Sequence, residues 1–328
     1  MRRLFASFVL LILCFGLWLV YAIFLPVKPS QTMYVLLRPG WSSRRIAREL
    51  KNQGVIRSAY GFSLLHYLTR GQSLKAGEYK FDSSANAVQV RERLSRGDIF
   101  THTVVVPEGY NMFDIARAIQ DSGLGSADEF LNVARNESSL IHNLDPQART
   151  LEGYLFPDTY EFTRTQSMHD IVGMMVKRFQ QEAKQIGLNQ NVHTIVTMAS
   201  IVEKESAAAD ERPEIASVYY NRLAKHMGLA ADPTIVYAAL LSGNYRGTIY
   251  QSDLQANSPY NTYKFSGLPP GPIANPGTSA LKAAMNPAQT DYLFFVAEGN
   301  GSGRHRFSST FEQHEKNVIA YRRAQNGR

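Results

Sequence analysis

Apolar and polar positions follow three different patterns along this chain. Residues 5–25 (FASFVLLILCFGLWLVYAIFL) form one apolar run without a charged side chain. As a helix rising about 1.5 Å per residue, that run reaches across the roughly 30 Å hydrocarbon core of a bilayer. Arg2 and Arg3 precede it, and a basic flank holds that end on the cytoplasmic side. The run exceeds a signal-peptide core, and Pro26-Val27-Lys28-Pro29 offers no small-x-small cleavage site. The pattern therefore predicts a single uncleaved membrane anchor within residues 1–25. A short linker over 26–33 follows, and the remainder lies on the extracytoplasmic, periplasmic side.

The second pattern alternates short apolar strands with amphipathic helices, and it repeats. YVLLRPGWSSRRIAREL, starting at Tyr34, aligns with TVVVPEGYNMFDIARAI, starting at Thr103, at a spacing of 69 residues. Gly40 matches Gly109, Trp41 matches Tyr110, Ile46-Ala47 matches Ile115-Ala116, and Gly54 matches Gly123. Each copy reads as a strand, a glycine turn and an amphipathic helix, with a second helix behind it around 59–67 and 127–133. Ser42 or Ser43 is the expected cap of the first helix, because a short hydroxyl accepts free N–H groups of a first turn. A strand over 76–81 and a helix over 87–94 fall between the copies. This β–turn–α–α unit resembles the LysM module, which implies binding of N-acetylglucosamine polymers; a plain α+β spacer is the competing reading.

From Leu151 the pattern changes again. LEGYLFPDTY is aromatic and ends in a Pro-Asp turn. Helices are expected over 169–184, 192–209 and 213–225, and a shorter one over 279–285. Residues 259–277 (PYNTYKFSGLPPGPIANPG) carry too much proline for regular structure and too many aromatics for a disordered linker. Long ordered loops of this kind often carry function. YLFFVA at 292–297 reads as a buried strand, followed by a glycine-rich turn over 299–303 and a terminal helix over 311–324. The fold class is α+β. It comprises the anchor, a LysM-like region over 34–150 and a mixed α+β domain over 151–328.

The densest chemistry lies in MASIVEKES at 198–206. On a helical wheel, Val192, Ile195, Ala199 and Val202 define an apolar face, with Val196 and Met198 beside it, and Lys204 points to solvent. Glu203 and Glu205 take opposite edges of that face, and periodicity does not choose between them. A carboxyl at an apolar edge has its pKa raised by desolvation, as a general acid requires near neutral pH; either could equally be a solvated flank charge. Asn221 and Arg222 close the next helix, where a guanidinium can fix an anionic or amide group. Asp232-Pro233-Thr234 marks a turn and helix start, with Asp232 as a plain N-cap the alternative. Tyr260, Asn261 and Tyr263 bring ring faces and an amide together, a combination that suits sugars.

Composition narrows the partners. The net charge of +7 over 328 residues suits an anionic surface or polymer. Lysine and arginine are dispersed, so no nucleic-acid partner is expected. The single cysteine, Cys14, lies in the apolar run, leaving the exported part without a disulfide. The histidines show no ligand spacing, and no metal or other cofactor is expected.

ASIVEKES, NRL at 221–223, DPT at 232–234, YNTY at 260–263 and GLPPGPIANPG at 267–277 together resemble the YceG-like family, in order and over nearly the whole chain. The resemblance implies an endolytic peptidoglycan lytic transglycosylase. Such an enzyme cleaves the MurNAc–GlcNAc bond of nascent glycan strands, forms 1,6-anhydroMurNAc and so terminates strand elongation in the cell inner membrane. It implies peptidoglycan strands as substrate and peptidoglycan synthases as neighbours. It places the general acid at Glu205, the second glutamate of EKE, and leaves Glu203 and Asp232 as reserves. A non-enzymatic glycan-binding scaffold and a hydrolytic muramidase with Asp232 as second carboxylate are the alternatives.

Overall fold

The computed structural model describes residues 2–69, 72–206 and 208–326. The chain is mixed α+β with an apolar N-terminal helix, and it divides into two compact units. Residues 1–103 and 161–167 make the first; residues 104–160 and 168–328 make the second. The change of texture at Leu151 falls inside the second unit.

In the first unit, α1 (Arg2–Phe24) is followed by β1 (Met33–Leu37), α2 (Ser43–Asn52), α3 (Ala59–Leu68), β2 (Gly77–Phe81) and α4 (Ala87–Arg96). β1 and β2 pair antiparallel, from Met33 opposite Phe81 to Leu37 opposite Gly77. Val35, Leu37, Leu50, Phe62, Tyr79 and Leu94 fill the core, since each element turns one apolar face inward. Ile23 of α1 belongs to the same core. Short polar side chains fix the helix starts. Ser42 accepts from the Arg45 N–H, Ser58 accepts from the Gly61 N–H, and Asn86 forms a capping box with Gln89.

The chain passes between the units along β3 (His102–Val105) and β4 (Thr159–Phe162), which pair with each other. The second unit continues with α5 (Met112–Asp121), α6 (Ala127–Asn136), α7 (Met168–Ile186), α8 (Val192–Glu205), α9 (Arg212–Ala224), α10 (Asp232–Leu241), α11 (Gln251–Leu254) and α12 (Thr278–Met285). The hairpin of β5 (Phe294–Ala297) and β6 (His305–Ser308) and the terminal α13 (Phe311–Asn326) complete it.

The repeat read from the sequence exists as two β–turn–α–α copies: β1, α2, α3 and β3, α5, α6. Their backbones match at the glycines. Gly40 and Gly109 have φ of 79° and 78°, and Gly54 and Gly123 have 71° and 72°. These are left-handed conformations that a Cβ disfavours.

Three expectations are corrected. The helix expected over 192–209 stops at Glu205. Ser206 is extended, and its Oγ accepts the Ala208 N–H and donates to the Ala208 carbonyl, competing with the helical ladder. The strand expected to be buried over 292–297 is shorter, Phe294–Ala297, and only half-buried, because it lies in a two-stranded hairpin. The single apolar face drawn for α8 understates its burial. Residues 196–202 are buried on every side, Thr197 and Ser200 included, because α9, α10 and α12 pack around them.

Candidate active site

α8 is a buried rod whose C-terminal turn emerges into polar surroundings, and there the two glutamates part company. Glu203 is enclosed, with 4% of its side chain exposed. Its Oε1 accepts from Arg212 Nη2 at 2.6 Å, and its Oε2 accepts from the Gly277 N–H at 3.0 Å. Burial raises its pKa; the Gly277 N–H and Arg212 oppose that, and Glu108 reinforces it. Both oxygens are therefore held by the protein. Lys204 is exposed as the wheel places it, and its Nζ donates to the Gly109 carbonyl at 3.2 Å.

Glu205 faces a different group. The Tyr219 hydroxyl donates to its Oε1 at 2.7 Å. Burial raises the Glu205 pKa above the ordinary carboxyl range. The Tyr219 hydrogen bond pulls against this, Asp232 adds to it through like charge, and His305 and Arg222 oppose it. Tyr219 is buried, its ring meeting Phe295 edge-on at 5.9 Å. Burial and the neighbouring Glu205 push its hydroxyl pKa well up, so it stays a donor.

Arg222 and Asp232 frame this carboxyl. Arg222 donates through Nε to the Leu293 carbonyl at 2.7 Å and through Nη1 to the Leu229 carbonyl at 2.6 Å. Burial lowers its pKa, while Tyr219, Glu205 and Tyr263 counteract that. Asp232 is exposed, and its Oδ1 accepts from the Tyr263 hydroxyl at 2.5 Å. It is the first residue of α10, not its cap, which is Ala231. Burial and Asp232 raise the Tyr263 pKa, and nearly half of that ring remains open to solvent. A half-buried acid and an exposed carboxylate–tyrosine pair thus share one electrostatic neighbourhood.

Glu205, Arg222, Asp232 and Tyr263 come together, and the other sequence candidates do not join them. Asn221 holds the carbonyls of Thr290 and Tyr292. Asn261 is fully buried and ties its own loop through the carbonyls of Leu254 and Ala256. Tyr260 packs on Tyr237 with ring centroids 5.1 Å apart. Sequence reasoning passed over Tyr219, Arg212 and His305. Tyr219 had one readable signal: it stands three residues before Arg222 and so shares its helix face.

The proline-rich loop lies against this site and is irregular, as its composition predicts. Asn275, fully buried, fastens it. Its side chain accepts from the Leu155 N–H and donates to the Tyr110 carbonyl and to Glu152. Burial pushes the Glu152 carboxyl up to about 8, against the Met112 N–H and the Tyr237 hydroxyl, which both lower it. Ile273 N–H donates to Ser200 Oγ, joining the loop to the middle of α8. Among the described residues, no three His, Cys, Asp or Glu side chains converge as metal ligands would.

Residues 35–320 match the YceG-like family. An endolytic murein transglycosylase of Bacillus subtilis (strain 168) is 35% identical, over 88% of this chain and 85% of that protein. One of Streptococcus pneumoniae serotype 2 (strain D39 / NCTC 7466) is 29% identical over 94% of this chain, which spans 62% of that longer protein. A crystal structure of a YceG-like protein from Listeria monocytogenes superposes with a TM-score of 0.57 at 35% identity, covering 88% of this chain and 99% of that one.

Proposed function

The chain belongs to the YceG-like family, and we propose that it is a membrane-anchored endolytic murein transglycosylase in which Glu205 is the general acid. The observation that carries this is the surroundings of Glu205: a carboxyl at the end of a buried helix, with its pKa raised and one oxygen held by Tyr219. Protonated Glu205 donates to the glycosidic oxygen between MurNAc and GlcNAc, and the C1–O bond of MurNAc breaks. The resulting carboxylate takes the proton of the MurNAc C6 hydroxyl. That oxygen attacks C1 of the same sugar and closes a 1,6-anhydro ring. The nucleophile is intramolecular, which reduces the entropy of capture. Asp232, exposed and oriented by Tyr263, is suited to stabilise positive charge at the anomeric carbon. Glu203 serves the fold through Arg212 and Gly277.

α1 is read as a retained anchor with its N-terminus cytoplasmic. Ala22 and Ile23 are buried, Val27 bridges to Ala85, and Arg57 donates to the Leu25 and Pro26 carbonyls. Such a helix is tied into the fold that follows it. The βαα region over 34–150 is read as a LysM-like spacer and the part over 151–328 as the bearer of the reacting groups. Acting near the bilayer where new strands emerge from peptidoglycan synthases, the enzyme would set strand length.

The test is one mass-spectrometric comparison on glycan strands. Wild-type products should be lighter than reducing-end muropeptides by one water, and Glu205→Gln should form them about 10²–10⁴-fold more slowly. Products with intact reducing ends would identify a hydrolase using Asp232 as second carboxylate. Unchanged cleavage by Glu205→Gln would remove Glu205 from the chemistry.

A further inference from the structure

The first unit carries a surface that its own core does not explain. α3 buries Phe62 and packs Leu65 against the core, yet a second stripe of the helix is also apolar. Tyr60 is 85% exposed, Tyr67 80% and Leu68 66%, with Leu64 half-buried among them. The spacing 60, 64, 67, 68 sets these four on one stripe of the helix. Across a groove of about 1130 Å³ lies α2. It lines that groove with Arg44, Arg48 and Lys51, which share a helix face at i, i+4 and i+7. Among the described lining residues there is no carboxylate.

Its position beside α1 fixes what this surface meets. α1 has 23 residues, about 34 Å of helix against a hydrocarbon core of roughly 30 Å. With Arg2 and Arg3 at one boundary, the helix leaves the hydrocarbon within its last turn. That turn is where α3 docks: a Cβ built on Gly61 would lie 3.2 Å from the Cβ of Ala22. One turn deeper, Leu19 packs against the same core. Leu68 follows Gly61 by seven residues, close to two full helical turns, so the exposed stripe adjoins the side of α3 that touches α1. Arg57 stacks on Tyr21 at 4.8 Å from the ring centroid, marking the same level.

We propose that the α2–α3 face is a membrane-docking surface for anionic phospholipid. Tyr60, Tyr67 and Leu68 enter the headgroup–acyl boundary, where amphipathic rings settle. Arg44, Arg48 and Lys51 pair with headgroup phosphates, to which guanidinium geometry is suited. Three cations on a carboxylate-free groove favour a phosphate surface over a neutral sugar chain. The proposal rests on the reading of α1 as a retained anchor.

The experiment uses the full chain in nanodiscs of equal parts phosphatidylcholine and phosphatidylglycerol, with nitroxide labels and power saturation by oxygen and by a water-soluble nickel chelate. A label on native Cys14 reports whether α1 spans the bilayer. In a Cys14→Ala background, Tyr60→Cys and Tyr67→Cys report the face. Arg96→Cys reports solvent, at the end of α4 away from the Val27–Ala85 bridge. The expected result is a Cys14 label in hydrocarbon, with labels at 60 and 67 severalfold less accessible to nickel than the label at 96. Arg44→Glu, Arg48→Glu and Lys51→Glu together should reduce that shielding to its level in pure phosphatidylcholine discs. A Cys14 label in hydrocarbon with labels at 60 and 67 as accessible as at 96 overturns the docking face alone. A Cys14 label in water overturns the anchor and the face with it. Shielding that arises only on adding soluble N-acetylglucosamine oligomers reassigns the groove to glycan. Shielding unmoved by the triple charge reversal overturns the phosphate half.

Discussion

Replacing Tyr219 with phenylalanine removes one oxygen and leaves the ring in its edge-on contact with Phe295. The lost group is the donor 2.7 Å from Glu205 Oε1. A hydrogen bond to a charged group contributes about 1.5–3 kcal/mol. In the proton-transfer transition state the carboxylate charge is partly formed, so about half of that, near 1 kcal/mol, is lost there, or about fivefold in turnover. The pH profile carries the sharper signature. Tyr219 lowers the Glu205 pKa by favouring the carboxylate, so without it Glu205 keeps its proton to higher pH. The basic limb of the rate profile, which marks loss of that proton, should therefore move to higher pH while the plateau falls. The assay is the initial rate of anhydro-muropeptide formation from glycan strands, quantified by mass spectrometry from acid to alkaline pH. A lowered plateau with an unmoved limb, or a limb moved toward acid, would refute the assignment of Tyr219 as the donor that tunes Glu205.

Glu205→Gln should lower turnover by about 10²–10⁴-fold, the usual contribution of a general acid, with an unchanged urea-unfolding midpoint. Arg212→Met should destabilise the second unit by about 3–5 kcal/mol in urea unfolding, because Glu203 is left buried without its cation; adding Glu203→Gln should recover a large part of that, and a cheap single substitution would show the pair to be dispensable. Asn275→Ala removes the bonds to Leu155, Tyr110 and Glu152 together. The Leu155 N–H is left buried without an acceptor, while the Tyr110 carbonyl keeps the Asn275 N–H and Glu152 keeps the Met112 N–H; at about 1–3 kcal/mol for the unpaired group and about 0.5–1.5 kcal/mol for each of the other two bonds, the change should cost about 3 kcal/mol in the same measurement and expose the 267–277 loop to limited proteolysis.

What the sequence revealed and what it withheld divide along the range of the forces involved. Strands, helices and the 69-residue repeat follow from local periodicity and caps. Ser42, Asn86 and Asn111 each sit where a short polar side chain must precede an amphipathic run. The end of α8 was not legible, because Ser206 satisfies its hydroxyl within its own turn instead of extending the ladder. Nor was the division of labour between the glutamates. Glu203 and Glu205 have the same pattern on the wheel, and what separates them comes from far along the chain: Arg212 and Gly277 on one side, Tyr219 and Asp232 on the other. Asn261 and Tyr260 read as sugar-binding groups because composition cannot tell an amide that meets a ligand from one that closes its own loop.

The repeat shows how the same local code acquires two uses. Gly40 and Gly109 turn the chain alike, and Ser42 and Asn111 cap the helices that follow at equivalent positions. In the first copy that turn leads to Trp41, over which Arg45 stacks at 4.3 Å within its own helix start. In the second copy the turn is wired to the glutamate-bearing helix. The Gly109 carbonyl accepts from Lys204 Nζ, its N–H donates to the Asn275 carbonyl, and the Met112 N–H at the helix start donates to buried Glu152. Lys204, on the solvent side of α8, thus links the EKE turn to the Gly109 turn, and Glu152 and Asn275 tie the proline-rich loop to the same turn. A repeated βαα unit thus packs in one copy around its own core beside the apolar helix α1, and in the other is hydrogen-bonded to the turn that carries Glu203 and Glu205.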